Sequence, residues 1–201
     1  MVRAERNKGI TDLITKFDRK NMITKLDKSA LSKQDKECFD LAIKEAKASF
    51  NTGCYPVGAV LLLNEVETYS VGNSALSKNS SFYHAENSLI EKYGDKMYDC
   101  FKKKQSIKIY STLEPCLMCL GTSVLNKVSE IFFIQFDPHA GACNIDIKTL
   151  GVRYSEIMPI INQIDYSKVP YDLLIKFFEN EIKKQNKWGE KMLQLFQCTS
   201  S

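Results

Sequence analysis

Short apolar runs alternate with segments of helical period along most of this chain, and that alternation restricts the fold more than any other feature. From Ser32 onward, Cys38, Phe39, Leu41, Ala42, Ala46 and Phe50 recur at three- and four-residue steps, and Gly53 ends the run; this predicts a helix. Val57 to Leu63 is a compact apolar run of the kind a buried strand needs. Asn64 and Glu65 supply a turn, and Thr68 to Val71 reads as the partner strand. His84 to Tyr93 reads as a helix that buries Ala85, Leu89 and Ile90. Ile107 to Thr112 reads as a strand, Cys116 to Asn126 as a helix and Ile131 to Phe136 as another strand. A weaker strand is expected over Tyr154 to Ile160. Tyr171 to Phe196 reads as one closing helix, with Leu174, Ile175, Phe178 and Ile182 on its buried side. Strands separated by helices imply an α/β protein, a three-layer α/β/α sandwich whose central mixed sheet carries helices on both faces. The stretch Asp137 to Ser155 has no clear period, and a loop that long inside a compact domain is often functional.

At 201 residues, with 44% hydrophobic and 26% charged side chains, the chain can bury one real core and is short for two. No apolar stretch approaches the ~18 residues that would span a bilayer, so no membrane partner is expected. The first twenty residues mix Arg3, Arg6 and Lys8 with Glu5, Asp12 and Asp18 and lack the apolar core of a signal peptide. Ile10, Leu13, Ile14 and Phe17 could share a helical face as in a mitochondrial presequence, but the acidic residues argue against one. Seven cysteines, of which only Cys116 and Cys119 are closely spaced, point to a reducing, cytoplasmic compartment rather than a disulfide scaffold. Residues 1–33 hold nine Lys/Arg against four Asp/Glu, while the rest of the chain is near neutral. The expected organisation is a basic, partly ordered N-terminal extension over 1–33 and one folded domain over 34–201. That extension is either a solvated tail or an arm able to touch phosphates.

The chemistry-bearing residues are few. Cys116 and Cys119 lie three residues apart near the start of a helix, where the partial positive charge favours thiolate over thiol. Pro115 suits such a start, because its missing N–H would be unpaired there. A lone C-x-x-C is shared by redox motifs, structural zinc sites and buried thiol pairs. His84, one of only two histidines, opens a different helix and is followed two residues later by Glu86. One His and two Cys from two helix starts would supply three ligands to one Zn2+ per chain. A fourth position is then left for water, as in catalytic sites. Glu86 is then the natural acid/base, because zinc brings the pKa of bound water to about 7. The competing reading is a closed structural zinc site, with His139, Cys143 or Cys54 as fourth ligand.

The pairing of His84-Ala85-Glu86 with Pro115-Cys116-Leu117-Met118-Cys119 resembles the signature of zinc nucleobase deaminases of the cytidine/deoxycytidylate deaminase superfamily. Tyr55-Pro56-Val57-Gly58-Ala59-Val60, Thr112-Leu113-Glu114 and Asp137 through Gly141-Ala142 are similar to segments of its branch of bacterial-type tRNA adenosine deaminases and guanine deaminases. The resemblance spans residues 34–150. It implies a cytidine-deaminase-like fold and hydrolytic deamination of a nucleobase, either adenosine in tRNA or a free base or nucleoside. It further implies that Glu86 carries the protons and that Asn73 and the Ala85 N–H contact the substrate. Tyr83 and His139 are the better candidates, ahead of Phe82 and Phe136, for the aromatic lining of the pocket. The partners it implies are a nucleobase-containing substrate, which can be tRNA, and a second copy of the chain in a homodimer. The chain departs from the tRNA enzymes at Cys54-Tyr55, at Ser80 through Tyr83 and at Asn87. Its C-terminal Lys183, Lys184, Lys187 and Lys191 are also interspersed with Glu179, Glu181 and Glu190. Two other readings remain open: a non-catalytic RNA-binding subunit of a deaminase complex, and a structural zinc-binding domain.

Overall fold

The computed structural model describes residues 23–198. Six strands form one sheet: β1 (Ile23–Leu26), β2 (Gly58–Leu63), β3 (Glu67–Gly72), β4 (Ile107–Leu113), β5 (Glu130–Gln135) and β6 (Ile160–Ile164). Their order across the sheet is β1-β6-β5-β4-β2-β3. β1, β6, β5 and β4 run parallel, whereas β2 is antiparallel to both β3 and β4, so the sheet is mixed. The helices are α1 (Lys33–Asn51), α2 (Ala85–Lys102), α3 (Leu117–Leu125), α4 (Val152–Glu156), α5 (Val169–Lys183) and α6 (Lys187–Cys198). No helix among the described residues is long and apolar enough to cross a membrane.

The two-residue period of a strand sorts its side chains into two cores. Val60, Leu62, Tyr110, Phe132, Ile134 and Ile164 pack with Phe39, Ala42 and Ile43 of α1 on one face. Ala59, Leu61, Leu63, Ile109, Ile131 and Phe133 point to the other face and pack with α2, α3, α5 and α6. The expected three layers are present. α1 begins with a reciprocal cap: the Asp35 N–H donates to Ser32 Oγ and the Ser32 N–H to Asp35 Oδ2. The β2–β3 turn uses Asn64 and Glu65, both in the left-handed region.

Three expectations need correction. The strand expected over 154–160 is displaced. Tyr154, Ile157 and Met158 lie at helical spacing and pack against the core from α4 and its end, and Pro159 precedes the strand that follows, Ile160–Ile164. The closing helix is two helices. α5 ends with Gln185 in the left-handed region (φ 61°), its N–H donating to Ile182 O while the Asn186 N–H donates to Glu181 O. That is a Schellman ending, but with Gln where glycine is usual, so the break carries no glycine signal. The helix expected over 84–93 continues to Lys102 through a non-helical Tyr93 beside Gly94.

The segment 1–33 also contributes structure. Ile23–Leu26 pairs with β6 at the sheet edge and Leu31 is buried. Residues 1–22, with most of the basic charge and the presequence-like pattern, lie outside the described residues.

Candidate metal centre and cleft

Both helix starts converge beyond the carboxyl end of β4. His84 is the N-cap of α2 and Cys116 the N-cap of α3, each with extended backbone, and Cys119 sits in the first turn of α3. Pro115 therefore precedes the cap rather than opening the helix. His84 Nδ1 lies 3.5 Å from Cys116 Sγ and 3.6 Å from Cys119 Sγ, and the three donor atoms all fall within 4.8 Å of one another. Zinc–sulfur and zinc–nitrogen bonds of about 2.3 and 2.05 Å at a tetrahedral angle give an N···S edge of about 3.6 Å. The two N···S distances therefore match those around a zinc ion. Cys54, Cys143 and His139, weighed above as fourth ligands, do not join this group.

The electrostatics agree with a cation-binding corner. The Cys116 thiol is drawn down to about 4, chiefly by its hydrogen bond with Cys119 and further by His84. Cys119 is pushed up by the same partner and by burial. The hydrogen bond with Cys116 raises His84.

Glu86, only 3% exposed, reaches the corner from the first turn of α2. Its Oε1 accepts a 2.7 Å bond from Ser111 Oγ on β4. Burial raises its pKa above the ordinary carboxylate range even though Ser111 favours the charged form. A buried carboxylate with a raised pKa beside a cleft is a candidate acid/base group. Asn87 and Ser88 beside it are buried, and their side-chain polar atoms have no protein partner.

A cleft of about 400 Å³ opens over the corner, and His84, Glu86, Cys116, Asn73 and His139 line it. Asn73 is 6% exposed and its Oδ1 accepts the Ala75 N–H (3.1 Å), so its amide NH2 is the group left for a ligand. The Ala85 side chain is buried outside the lining. Its N–H belongs to the first turn of α2, where donors lack helical partners. His139 is exposed at the lip of the loop that sequence alone marked as aperiodic. Tyr83 is not part of the lining: its ring lies under the Lys78 ammonium (3.8 Å) and edge-on to Phe82 (5.6 Å), and its carbonyl accepts the Ser74 N–H. Phe136 packs against Phe133 instead.

Glu114 holds the lip. Its carboxylate accepts the Asp137 N–H (3.2 Å) and the Cys143 N–H (3.0 Å), while Cys116 bridges to Gly141 and the Ala142 N–H donates to Pro115 O. A Cβ on Gly141 would stand 2.2 Å from Glu114 Oε2, so only glycine fits there. Asp137 Oδ1 in turn accepts the N–H groups of His139 and Ala140.

Sequence reasoning missed the far wall. Tyr55, Phe177, Glu181, Asn186 and Trp188 line the cleft, the last four from α5, α6 and the turn joining them. The one available signal was the chain's single tryptophan, which lies in an otherwise polar stretch.

Residues 32–135 match the family described as the cytidine and deoxycytidylate deaminase zinc-binding region. The tRNA-specific adenosine deaminase of Bacillus subtilis (strain 168) is 35% identical over 161 residues, 80% of this chain and 98% of that protein. The cytosine deaminase of Candida albicans is 32% identical over 157 residues, 78% of this chain and 95% of its own. A solved structure from a study of A-to-I editing by tRNA:A34 deaminases superposes with a TM-score of 0.53 at 24% identity, covering 69% of this chain and 99% of that one. The chain belongs to the cytidine and deoxycytidylate deaminase family.

Proposed function

We propose that the protein is a zinc-dependent deaminase that hydrolyses the exocyclic amine of a nucleobase, with one zinc per chain held by His84, Cys116 and Cys119. The observation that carries this reading is the three-cornered N, S, S group with a buried carboxylate beside it and a cleft above. When bound, zinc would polarise water for attack on the amine-bearing ring carbon. Glu86, held toward β4 by Ser111, would move two protons in turn: the first from the attacking water to the ring nitrogen, the second from the hydroxyl then on the ring carbon to the departing amino group, which leaves as ammonia. Asn73 and the Ala85 N–H orient the base, and His139 closes over it from the lip. The adjacent thiolates require a reducing compartment, which favours the cytoplasm.

The B. subtilis relative is a tRNA-specific enzyme and the C. albicans relative acts on cytosine, so both RNA and a free base fall within the reading. We also propose a homodimer. In support, α3 leaves Leu117 and Leu125 61% and 44% exposed beside the metal corner, an uncovered apolar patch of the kind that marks interfaces. The decisive experiment replaces Glu86 with Gln and measures both bound zinc and ammonia release. Zinc at one per chain with activity lowered about 10²–10⁴-fold is the expected result. Near-normal turnover, or loss of the metal, would remove Glu86 from the proton path.

A further inference from the structure

Two tyrosines sheltered among aromatic rings pass their hydroxyls to protein acceptors: Tyr110 donates to Asp35 (2.5 Å) and Tyr166 to Asp40 (2.8 Å). That is the usual arrangement for a sheltered phenol, whose oxygen is costly to leave unpaired. Tyr55 is packed in the same way and lacks the partner. Its ring lies edge-on to Phe177 (5.4 Å) and tilted against Phe178 (5.9 Å) and Trp188 (6.2 Å). Among the described residues, none hydrogen-bonds its hydroxyl. The fully enclosed side-chain polar atoms without a partner are those of Asn87 and Ser88, so the Tyr55 oxygen is not sealed in. The Asp137 carboxylate lies near enough to act on it, and both residues line the cleft, which puts the oxygen on the cleft side of the ring.

The surroundings hold that oxygen in place. The Trp188 N–H donates to Asn186 Oδ1, and the Asn186 amide donates to Glu181, which also accepts the Lys184 ammonium. A Cβ on Gly189 would lie 2.9 Å from Glu181 Cβ, so α5 and α6 are in direct contact. Phe178 rests in turn on Phe196 (5.3 Å). On the main chain, the Val57 N–H donates to Tyr55 O and the Asn73 N–H to Val57 O, which ties Tyr55 to the segment that carries Asn73. Glu181 and Asn186 are thus engaged with each other and with their neighbours, and Phe177 and Trp188 offer ring surface. The Tyr55 hydroxyl is the polar group that this part of the wall leaves uncommitted. Burial and the Asp137 charge both raise it well above the ordinary tyrosine value, so the O–H keeps its proton and can donate.

We propose that the Tyr55 hydroxyl is a substrate-binding group that donates a hydrogen bond to a ring nitrogen or carbonyl oxygen of the nucleobase. This rests on the nucleobase-deaminase reading and adds a contact on the far wall to those of Asn73 and the Ala85 N–H. Ligand sites are mostly apolar, with a few polar groups that fix orientation, and a donor already held in position loses little freedom when the ligand arrives.

Tyr55→Phe removes one oxygen and keeps the ring, so it tests the contact without opening a cavity. Zinc-loaded wild type and variant are dialysed against the deaminated products uracil, uridine, hypoxanthine, inosine, xanthine and xanthosine, and against an inosine-bearing anticodon stem-loop. Ammonia release from the matching amino compounds and the Tm are measured in parallel. Whichever compound the wild type binds most tightly is expected to bind the variant about tenfold more weakly, a loss of about 1.4 kcal/mol. KM should rise by a similar factor with kcat within about twofold, because the contact is made equally before and during reaction. Zinc content should be unchanged and the Tm unchanged or higher, since no protein partner is lost. Binding and KM within about twofold of wild type overturn the proposal, whatever the turnover. Weaker binding together with a lower Tm also overturns it, because the hydroxyl would then serve the fold. The expected loss of binding without ammonia from any compound overturns the deaminase reading and leaves this contact standing. Failure of every compound to bind the wild type overturns both.

Discussion

Asp35 shows how one side chain can serve a helix and a sheet at once. Burial opposes its charge, but the Tyr110 hydroxyl (2.5 Å) and the Ser32 cap outweigh that cost and hold the carboxyl below its ordinary value. A folded-state pKa below the unfolded one means stability that is present above the usual Asp range and lost as pH falls through the depressed value. Tyr110→Phe should therefore cost about 1–2 kcal/mol at neutral pH. In denaturant titrations, the gap to wild type should begin to narrow as pH falls below the ordinary Asp range and close once it passes the depressed folded value. A gap that persists in acid would mean that the hydroxyl acts through packing instead. Ser111 plays a comparable part in the site. Ser111→Ala is expected to lower ammonia release about tenfold with zinc content unchanged, because the Glu86 carboxylate loses its donor. At this scale the sequence was most readable. His84, Cys116 and Cys119 stood out because metal ligation needs particular atoms at short range, and the fold brings those atoms together. Tyr83 did not behave as its position suggested, since a neighbouring lysine claims the face of its ring.

Among the elements, those with a strong period were legible and those defined by a break were not. α1, β2, β4 and β5 carry continuous apolar patterns and fall close to where the sequence places them. β1 is four residues at a sheet edge, too short to show a period, and owes its place to pairing with β6. The α5–α6 elbow was hidden because a left-handed Gln185 ends a helix without the usual glycine. Gln185→Gly should therefore raise stability by about 0.5–1 kcal/mol, visible as a higher Tm, since glycine adopts positive φ without the steric cost. A lower Tm would show that the Gln side chain makes a contact outweighing that strain. The far wall of the cleft was lost with the elbow, because four of its residues flank the break.

For the whole molecule, the metal corner joins α2, α3 and, through Pro115, the loop after β5. Zinc should stabilise the fold as any ligand of the native state does. At a free concentration near a thousand times its Kd the gain is about 4 kcal/mol, so a chelator should lower the Tm and added zinc restore it. An unchanged Tm on stripping would place the metal elsewhere. Leu125→Glu should convert the proposed dimer to a monomer in sedimentation, because a buried charge without a partner is costly.

The lip over the cleft is tied down through main-chain groups at both ends, Asp137 and Gly141 through Cys143, while Pro138, His139 and Ala140 form its tip. Anchors of that kind do not depend on which side chains occupy the tip. Three codons can therefore drift, and with them the choice of molecule admitted, without loosening the corner formed by His84, Cys116 and Cys119. Chemistry and taste are separately inheritable in such a design.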